Sequence, residues 1–163
     1  MLEKPTFIKY IASDEEAYYN LVKDDQLMRY ITGRGMTIAE AKAKFTQILH
    51  INAEYENLGY FKIVDPKSNA QIGECKLVTY TKDHSYFEIG YLLKSNYWKQ
   101  GLGTLICQEM LTLAAEVDPN KAIVALIDPD NIASRRLLEK FNFNSFFVGT
   151  EDGLLTEKLR LQR

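Results

Sequence analysis

The chain of 163 residues contains two cysteines and two histidines. Cys75 and Cys107 stand far apart, one in an expected strand and one in an expected helix, without the spacing of a metal site or a redox pair. They are expected to be buried, inert thiols. His50 and His84 are too few for a histidine-based zinc site or a serine–histidine hydrolase, and both are expected on solvated surfaces. No apolar run approaches the roughly 20 residues that span a bilayer. Glu3, Lys4 and Pro5 leave the N-terminus without a signal-peptide core, so the expectation is a cytoplasmic protein with no membrane partner and no metal.

Basic character is also missing. A net charge of −2 argues against nucleic acid as a partner, which normally requires a basic stripe. The acidic clusters Asp14-Glu15-Glu16 and Asp24-Asp25 read as helix starts rather than as a polyamine trap. Internal repeats and low-complexity segments are absent, and so is the P-loop spacing. The dinucleotide fingerprint fails as well, because Ile106 stands where its third glycine belongs.

What is present fits one globular domain over residues 1–163, with 46% hydrophobic and 26% charged residues. Phe7 to Ile11 alternates as a first strand, and Ser13-Asp14-Glu15-Glu16 is a capping-box pattern opening a helix toward Val22 and Lys23. Asp25 to Ile31 reads as a short helix. Thr37-Ile38-Ala39-Glu40 is a second capping box, and Ile38, Ala41, Phe45, Ile48 and Tyr55 stripe a longer helix that Gly59 is expected to end. Tyr60 to Val64 and Ile72 to Tyr80 flank the Asp65–Asn69 turn as a hairpin. The chain closes with strands at Asn144 to Val148 and Leu155 to Leu161 around a Glu151-Asp152-Gly153 turn. The expected fold is α/β (α+β), a mixed sheet of six or seven strands with about four helices on both faces.

Gly101 and Gly103, in Tyr97-Trp98-Lys99-Gln100-Gly101-Leu102-Gly103-Thr104, follow the strand Tyr86 to Leu93 and open a helix striped by Leu102, Leu105, Ile106, Met110, Leu113 and Val117. Glycines at such a junction let backbone amides face an anion at the positive end of the helix; a plain tight turn is the alternative. A second segment, Asp128 to Phe143, follows the apolar strand Ala122 to Ile127. Asn131 is a strong N-cap, Ile132, Arg136, Leu137 and Phe141 have helical spacing, and Asn142 can take the left-handed conformation that stops a helix.

Together the two segments resemble the GNAT N-acetyltransferase superfamily, and the order of elements extends the resemblance over nearly the whole chain. The resemblance implies a mostly antiparallel sheet whose fourth and fifth strands splay, with the glycine loop gripping the pyrophosphate of acetyl-CoA and the Asn-x-x-Ser helix flanking its pantetheine arm. Trp98 and Lys99 fill the first two places of the family loop; Lys99 replaces a usual glycine. An aromatic residue there is similar to the branch holding ribosomal-protein-alanine acetyltransferases and relatives acting on spermidine and aminoglycosides. A packing anchor is the other reading of Trp98.

The implied reaction is direct attack of an amine on the thioester of acetyl-CoA in a ternary complex, with a protein or peptide α-amine as favoured acceptor and small-molecule amines as alternatives. The cofactor set is Lys99, Gln100, Gly101, Leu102, Gly103 and Thr104 at the phosphates, Leu92 and Leu93 along the pantetheine, and Asn131 with Ser134 beside it. Glu88, in an otherwise apolar strand where burial favours a carboxylate's protonated form, is the expected base. A structural carboxylate and a water relay are its alternatives. Many family members place a tyrosine where this chain has Leu138, so Ser134 is the expected donor to the leaving thiolate, with simple helix capping by Asn131 and Ser134 as the alternative. Tyr30, Tyr91 and Tyr97 are further candidates for the acceptor channel, and residues 24 to 40 should border it. The missing tyrosine leaves open a non-catalytic acyl-CoA-binding module. The assembly is expected to be a monomer or a homodimer.

Overall fold

The computed structural model describes residues 3–163. Among them, β1 (Thr6–Lys9), β2 (Gly59–Val64), β3 (Gln71–Thr79), β4 (Tyr86–Leu93), β5 (Ala122–Ile127), β6 (Asn144–Glu151) and β7 (Leu154–Leu161) form one sheet in the order β1-β2-β3-β4-β5-β7-β6. All neighbours are antiparallel except β4 and β5. That parallel pair needs a crossover, which the helix α4 (Leu102–Val117) supplies. Its ladder runs from Tyr86 opposite Ala122 to Ile89 opposite Ala125 and stops, whereas β4 stays paired with β3 as far as Leu93. The strands part as expected, leaving residues 90–93 without a strand partner on the β5 side.

Four more helices complete the fold: α1 (Glu15–Val22), α2 (Asp25–Met28), α3 (Ile38–Glu54) and α5 (Ile132–Lys140). Because strand side chains alternate between faces, β4 feeds two cores. Leu92 packs with Tyr18, Leu21, Met28, Phe45 and Ile48 under α1–α3. Leu93 packs on the other face with Leu102, Ile106, Met110 and Leu137 under α4 and α5. Each fully buried aliphatic or aromatic side chain of this kind contributes roughly 1.5–3 kcal/mol.

Local sequence signals explain most boundaries. Thr37 and Glu40 cap α3 reciprocally, Glu40 N donating to Thr37 Oγ1 at 3.2 Å and Thr37 N to Glu40 Oε1 at 2.9 Å. Asn142 ends α5 with φ +69° as expected, and Asp152 and Gly153, at φ +52° and +79°, form the two-residue β6–β7 hairpin turn. Several expectations need correction. Ser13 does not cap α1; residues Ala12–Asp14 form a 3-10 turn, and Asp14 instead accepts from Ile11 N at 2.8 Å and pairs with Lys62 at 2.8 Å. The second helix is a single turn capped by Asp24, not a run to Ile31. Gly59 does not end α3, which stops at Glu54; it opens β2, where a Cβ would fall 2.1 Å from Asn52 Oδ1. Ile38, Leu105 and Val117 were counted into apolar faces but are 68%, 38% and 37% exposed. β6 reaches Glu151, three residues past the expected end, and as the sheet's edge it is exposed along most of its length.

Candidate active site

Between β4 and α4 the chain makes a 3-10 turn at Ser95–Tyr97 and then a tight bend. Trp98 Nε1 donates to Leu93 O at 2.7 Å, tying the bend to the end of β4. Gln100 Nε2 donates to Asn96 O at 2.9 Å. Lys99 and Gly101 are both left-handed, at φ +59° and +80°. Lys99 therefore adopts the backbone geometry of the glycine it replaces, at a cost of roughly 1 kcal/mol for carrying a side chain there.

No side chain caps α4, and among the described residues the amides of Leu102, Gly103 and Thr104 have no acceptor; the first bond of the helix is Leu105 N to Gly101 O at 3.4 Å. Three free amides at the positive end of a 16-residue helix attract an anion. Gly103 is constrained from beneath, since a Cβ on it would come 2.7 Å from Tyr91 Oη.

A cavity of about 490 Å3 opens where β4 and β5 diverge. Its walls are Glu88 to Leu92 of β4, Ala125 to Ile127 of β5, the start of α5, the segment Met28 to Gly33 and the β6–β7 turn. Of the expected site residues it brings together Glu88, Leu92, Asn131 and Ser134. Leu93 is not on its wall but buried beneath α4, and Lys99 to Thr104 form the separate helix terminus. Tyr91 joins the two regions, lining the cavity while its hydroxyl reaches Gly103. Tyr30 also lines the cavity, whereas Tyr97 packs against the α4-side core. The segment 24–40 borders the cavity through residues 28–33 and Met36.

At the start of α5, Asn131 Oδ1 accepts from Ser134 N at 3.2 Å, so half of the Asn131 side chain serves as a cap. Burial and nearby Cys107 raise the pKa of the Tyr91 phenol, and neighbouring Ser134 partly offsets that rise. Leu138 is buried at the cavity wall with no hydroxyl to offer. Cys107 also borders the cavity, but burial pushes its thiol up to about 12; burial raises Cys75 too. His50 and His84 are both exposed.

The polar floor of the cavity lies on β3 and β4. Glu88 does not sit in an apolar surround: its Oε2 is 2.6 Å from Lys76 Nζ, and both side chains are largely buried. Gly90 makes this contact possible, because Lys76 runs across it with Cε 3.2 Å from where a Cβ would be. Burial opposes the charge of Lys76, but Tyr60, Glu88 and Glu74 outweigh it and raise its pKa. Beside this pair stands Glu74, opposite Leu92 in the β3–β4 register. Its Oε1 is cut off from solvent and has no hydrogen-bond partner. Burial raises the Glu74 carboxyl to about 7, against the opposing hydrogen bond from Tyr10 and the charges of Lys76 and Lys44.

Neither Glu74 nor Lys76 was among the expected site residues. Their only sequence signal was a pair of charges at alternate positions of a strand whose same face continues with Val78 and Tyr80, and that pattern also describes a solvated strand face. Among the described residues, no helix is long and apolar enough to cross a membrane, and no group of three or more His, Cys, Asp or Glu side chains is placed to hold a metal ion.

A family model described as an acetyltransferase (GNAT) domain matches residues 6–144, and the chain belongs to that family. A curated relative, the uncharacterized N-acetyltransferase YnaD of Bacillus subtilis (strain 168), is 28% identical over 127 residues, covering 78% of this chain and 71% of that protein. Solved structures that share the fold include two acetyltransferases bound to coenzyme A. The spermidine N-acetyltransferase of Vibrio cholerae, in complex with CoA and spermine, superposes with a TM-score of 0.77 at 13% identity, covering 98% of this chain and 95% of the other. A ribosomal L7/L12 alpha-N-protein acetyltransferase in complex with coenzyme A gives 0.78 at 15% identity, covering 98% and 94%. The chain is an acetyltransferase; relatives of this fold act on both polyamines and protein termini.

Proposed function

We propose that this acetyltransferase works in a ternary complex of acetyl-CoA and a primary amine, and that its favoured acceptor is the α-amine of a peptide or protein. The carrying observation is the departure of β4 from β5 beyond Ile89, with the free α4 amides at one end of the gap and the cavity at the other. These features fit acetyl-CoA, which supplies the acyl group as a thioester. The amides of Gln100 to Thr104 would hold the diphosphate, with the Thr104 hydroxyl and the Lys99 charge beside them. The β4 edge freed beyond Ile89, at Tyr91 and the amide of Leu93, whose carbonyl already takes Trp98 Nε1, would hold the pantetheine amides by strand-like pairing.

Asn131 would align the arm through its free amide group. Ser134, at the start of α5, is placed where the helix dipole and a hydroxyl donor together favour a developing thiolate. The proton of the acceptor falls to the carboxylates on the cavity floor, Glu88 or its neighbour.

The cavity wall carries charges of both signs, Arg29, Lys44 and Lys76 with Glu74, Glu88, Asp128, Glu151 and Asp152. Of these, Glu88 is paired with Lys76, and Glu151 with Lys82 and Lys158. The aromatic Trp98 in the loop, and a structural neighbour that acts on a ribosomal protein's α-amine, support a peptide or protein α-amine as the acceptor.

The test is incubation of purified protein with acetyl-CoA and a panel holding alanine- and serine-initiated peptides, spermidine and an aminoglycoside, following free thiol and product mass. Thiol release with the peptides, and acetylation at their N-termini, is the expected result. Turnover confined to spermidine or the aminoglycoside overturns the acceptor class, and CoA binding without thiol release overturns transfer.

A further inference from the structure

We infer that the Arg135–Glu157 ion pair is a positioning element for acyl transfer, holding the segment that carries Asn131 and Ser134 in register with the cavity. This rests on the roles proposed above for those two residues. Neither Arg135 nor Glu157 lies on the cavity wall, whereas Asn131 and Ser134 both do, so the pair acts through them.

Glu157 is the most fully buried charged residue among those described, at 4% exposed. It stands on β7 opposite Ile127, the last residue of β5, and strand parity gives it the face of Leu159, under α4 and α5. Arg135 reaches it from the first turn of α5, with Nε and Nη2 donating to Glu157 Oε1 at 2.9 and 2.5 Å. Nη2 also donates to Pro129 O at 2.9 Å. One guanidinium thus joins β7, the loop after β5 and the start of the helix.

Pro129 and Arg135 bracket Asn131 and Ser134 in the chain. Within that stretch Asn131 N donates to Asp128 O at 2.9 Å, Ser134 N to Asn131 Oδ1 at 3.2 Å and Arg135 N to Asn131 O at 3.1 Å. These bonds make the turn a single piece, and the guanidinium secures that piece to the sheet beside the stretch of β5 that has left β4. A buried ion pair is a poor device for stability alone, since apolar residues of similar volume commonly serve as well or better. What it supplies is direction: a planar fork fixes its acceptors in space, which a lysine's point charge does not. Direction matters beside a reacting thioester, where a displacement of about 1 Å can cost on the order of 100-fold in rate.

The test uses the full chain. Arg135→Met strands the buried carboxylate and should melt about 10 °C lower. Arg135→Met combined with Glu157→Leu removes both charges and should melt close to wild type. In that ligand-free double variant, hydrogen exchange at the amides of Asn131, Ser134 and Arg135 should still run about tenfold faster than in wild type, with α4 unchanged. CoA affinity by calorimetry should stay within about twofold, because the α4 terminus is a separate site. Turnover, followed as free thiol with acetyl-CoA and the acceptor panel above, should remain about 20-fold low. Arg135→Lys keeps the charge without the fork; it should melt near wild type and still turn over slowly. In a Ser134→Ala background the paired replacement should slow turnover little further, because both changes act on the same group.

Recovery of turnover together with melting temperature in the double variant would make the pair a stability device and overturn this inference alone. Wild-type exchange at the three amides does the same, as does full additivity with Ser134→Ala. A Ser134→Ala protein with normal turnover overturns the donor reading and this inference with it, and a wild type that releases no thiol with any acceptor overturns transfer and both.

Discussion

The Tyr91 hydroxyl occupies the space that Gly103 leaves empty, 2.7 Å from the position a Cβ would take, with Leu137 Cδ2 at 3.2 Å on the other side. Gly103→Ala should therefore either lift the first turn of α4 or push Tyr91 toward the cavity. We expect a stability loss of about 1–2 kcal/mol and about tenfold weaker CoA binding. Adding Tyr91→Phe should recover part of the stability, a coupling that denaturant unfolding of the double-mutant cycle will measure.

Lys99 pays for a left-handed backbone while lending charge to the helix terminus. Lys99→Gly should raise stability by about 1 kcal/mol through relief of that strain, yet weaken CoA binding several-fold. Lys99→Ala, which loses the charge and keeps the strain, should show only the binding defect; thermal melts and calorimetry on both variants separate the two effects.

Glu74 makes stability depend on pH in the direction opposite to a salt-bridged carboxylate. Its folded pKa, about 7, lies above the ordinary 4.5 that it regains on unfolding. Below pH 4.5 both states hold the proton and nothing is lost. Between pH 4.5 and 7 the unfolded chain releases it first, so the folded state loses stability, to a total on the order of 3 kcal/mol above pH 7. Glu74→Gln should flatten that slope in denaturant midpoints measured from pH 5 to pH 8.

The two α5 residues should divide by readout. Asn131→Ala removes the cap on Ser134 N and should cost about 1 kcal/mol of stability. Ser134→Ala should slow turnover more than it weakens acetyl-CoA binding; the reverse pattern would make Ser134 an anchor instead of a donor. Single-turnover kinetics alongside calorimetry distinguish the cases.

Elements were legible in the sequence wherever a local rule acts alone. Asn142, the Thr37–Glu40 box and the Asp152-Gly153 turn each follow from backbone chemistry within a few residues. Ser13 failed because its neighbour Asp14 found Ile11 N and, from across the chain, Lys62. The Leu92 and Leu93 pair shows how far periodicity reaches: one faces the cavity and the other the α4 core, and strand parity separates them without saying which side is which. Glu74 and Lys76 were illegible for a deeper reason. Whether two alternating charges meet water or a closed wall depends on α1–α3, folded over them from elsewhere in the sequence.

The family match ends at residue 144, but Glu151, Asp152 and Leu154 to Thr156 complete the cavity wall. The β6–β7 turn thus shapes the cavity from outside the matched segment, and a substitution there would alter that wall while leaving the loop before α4 untouched.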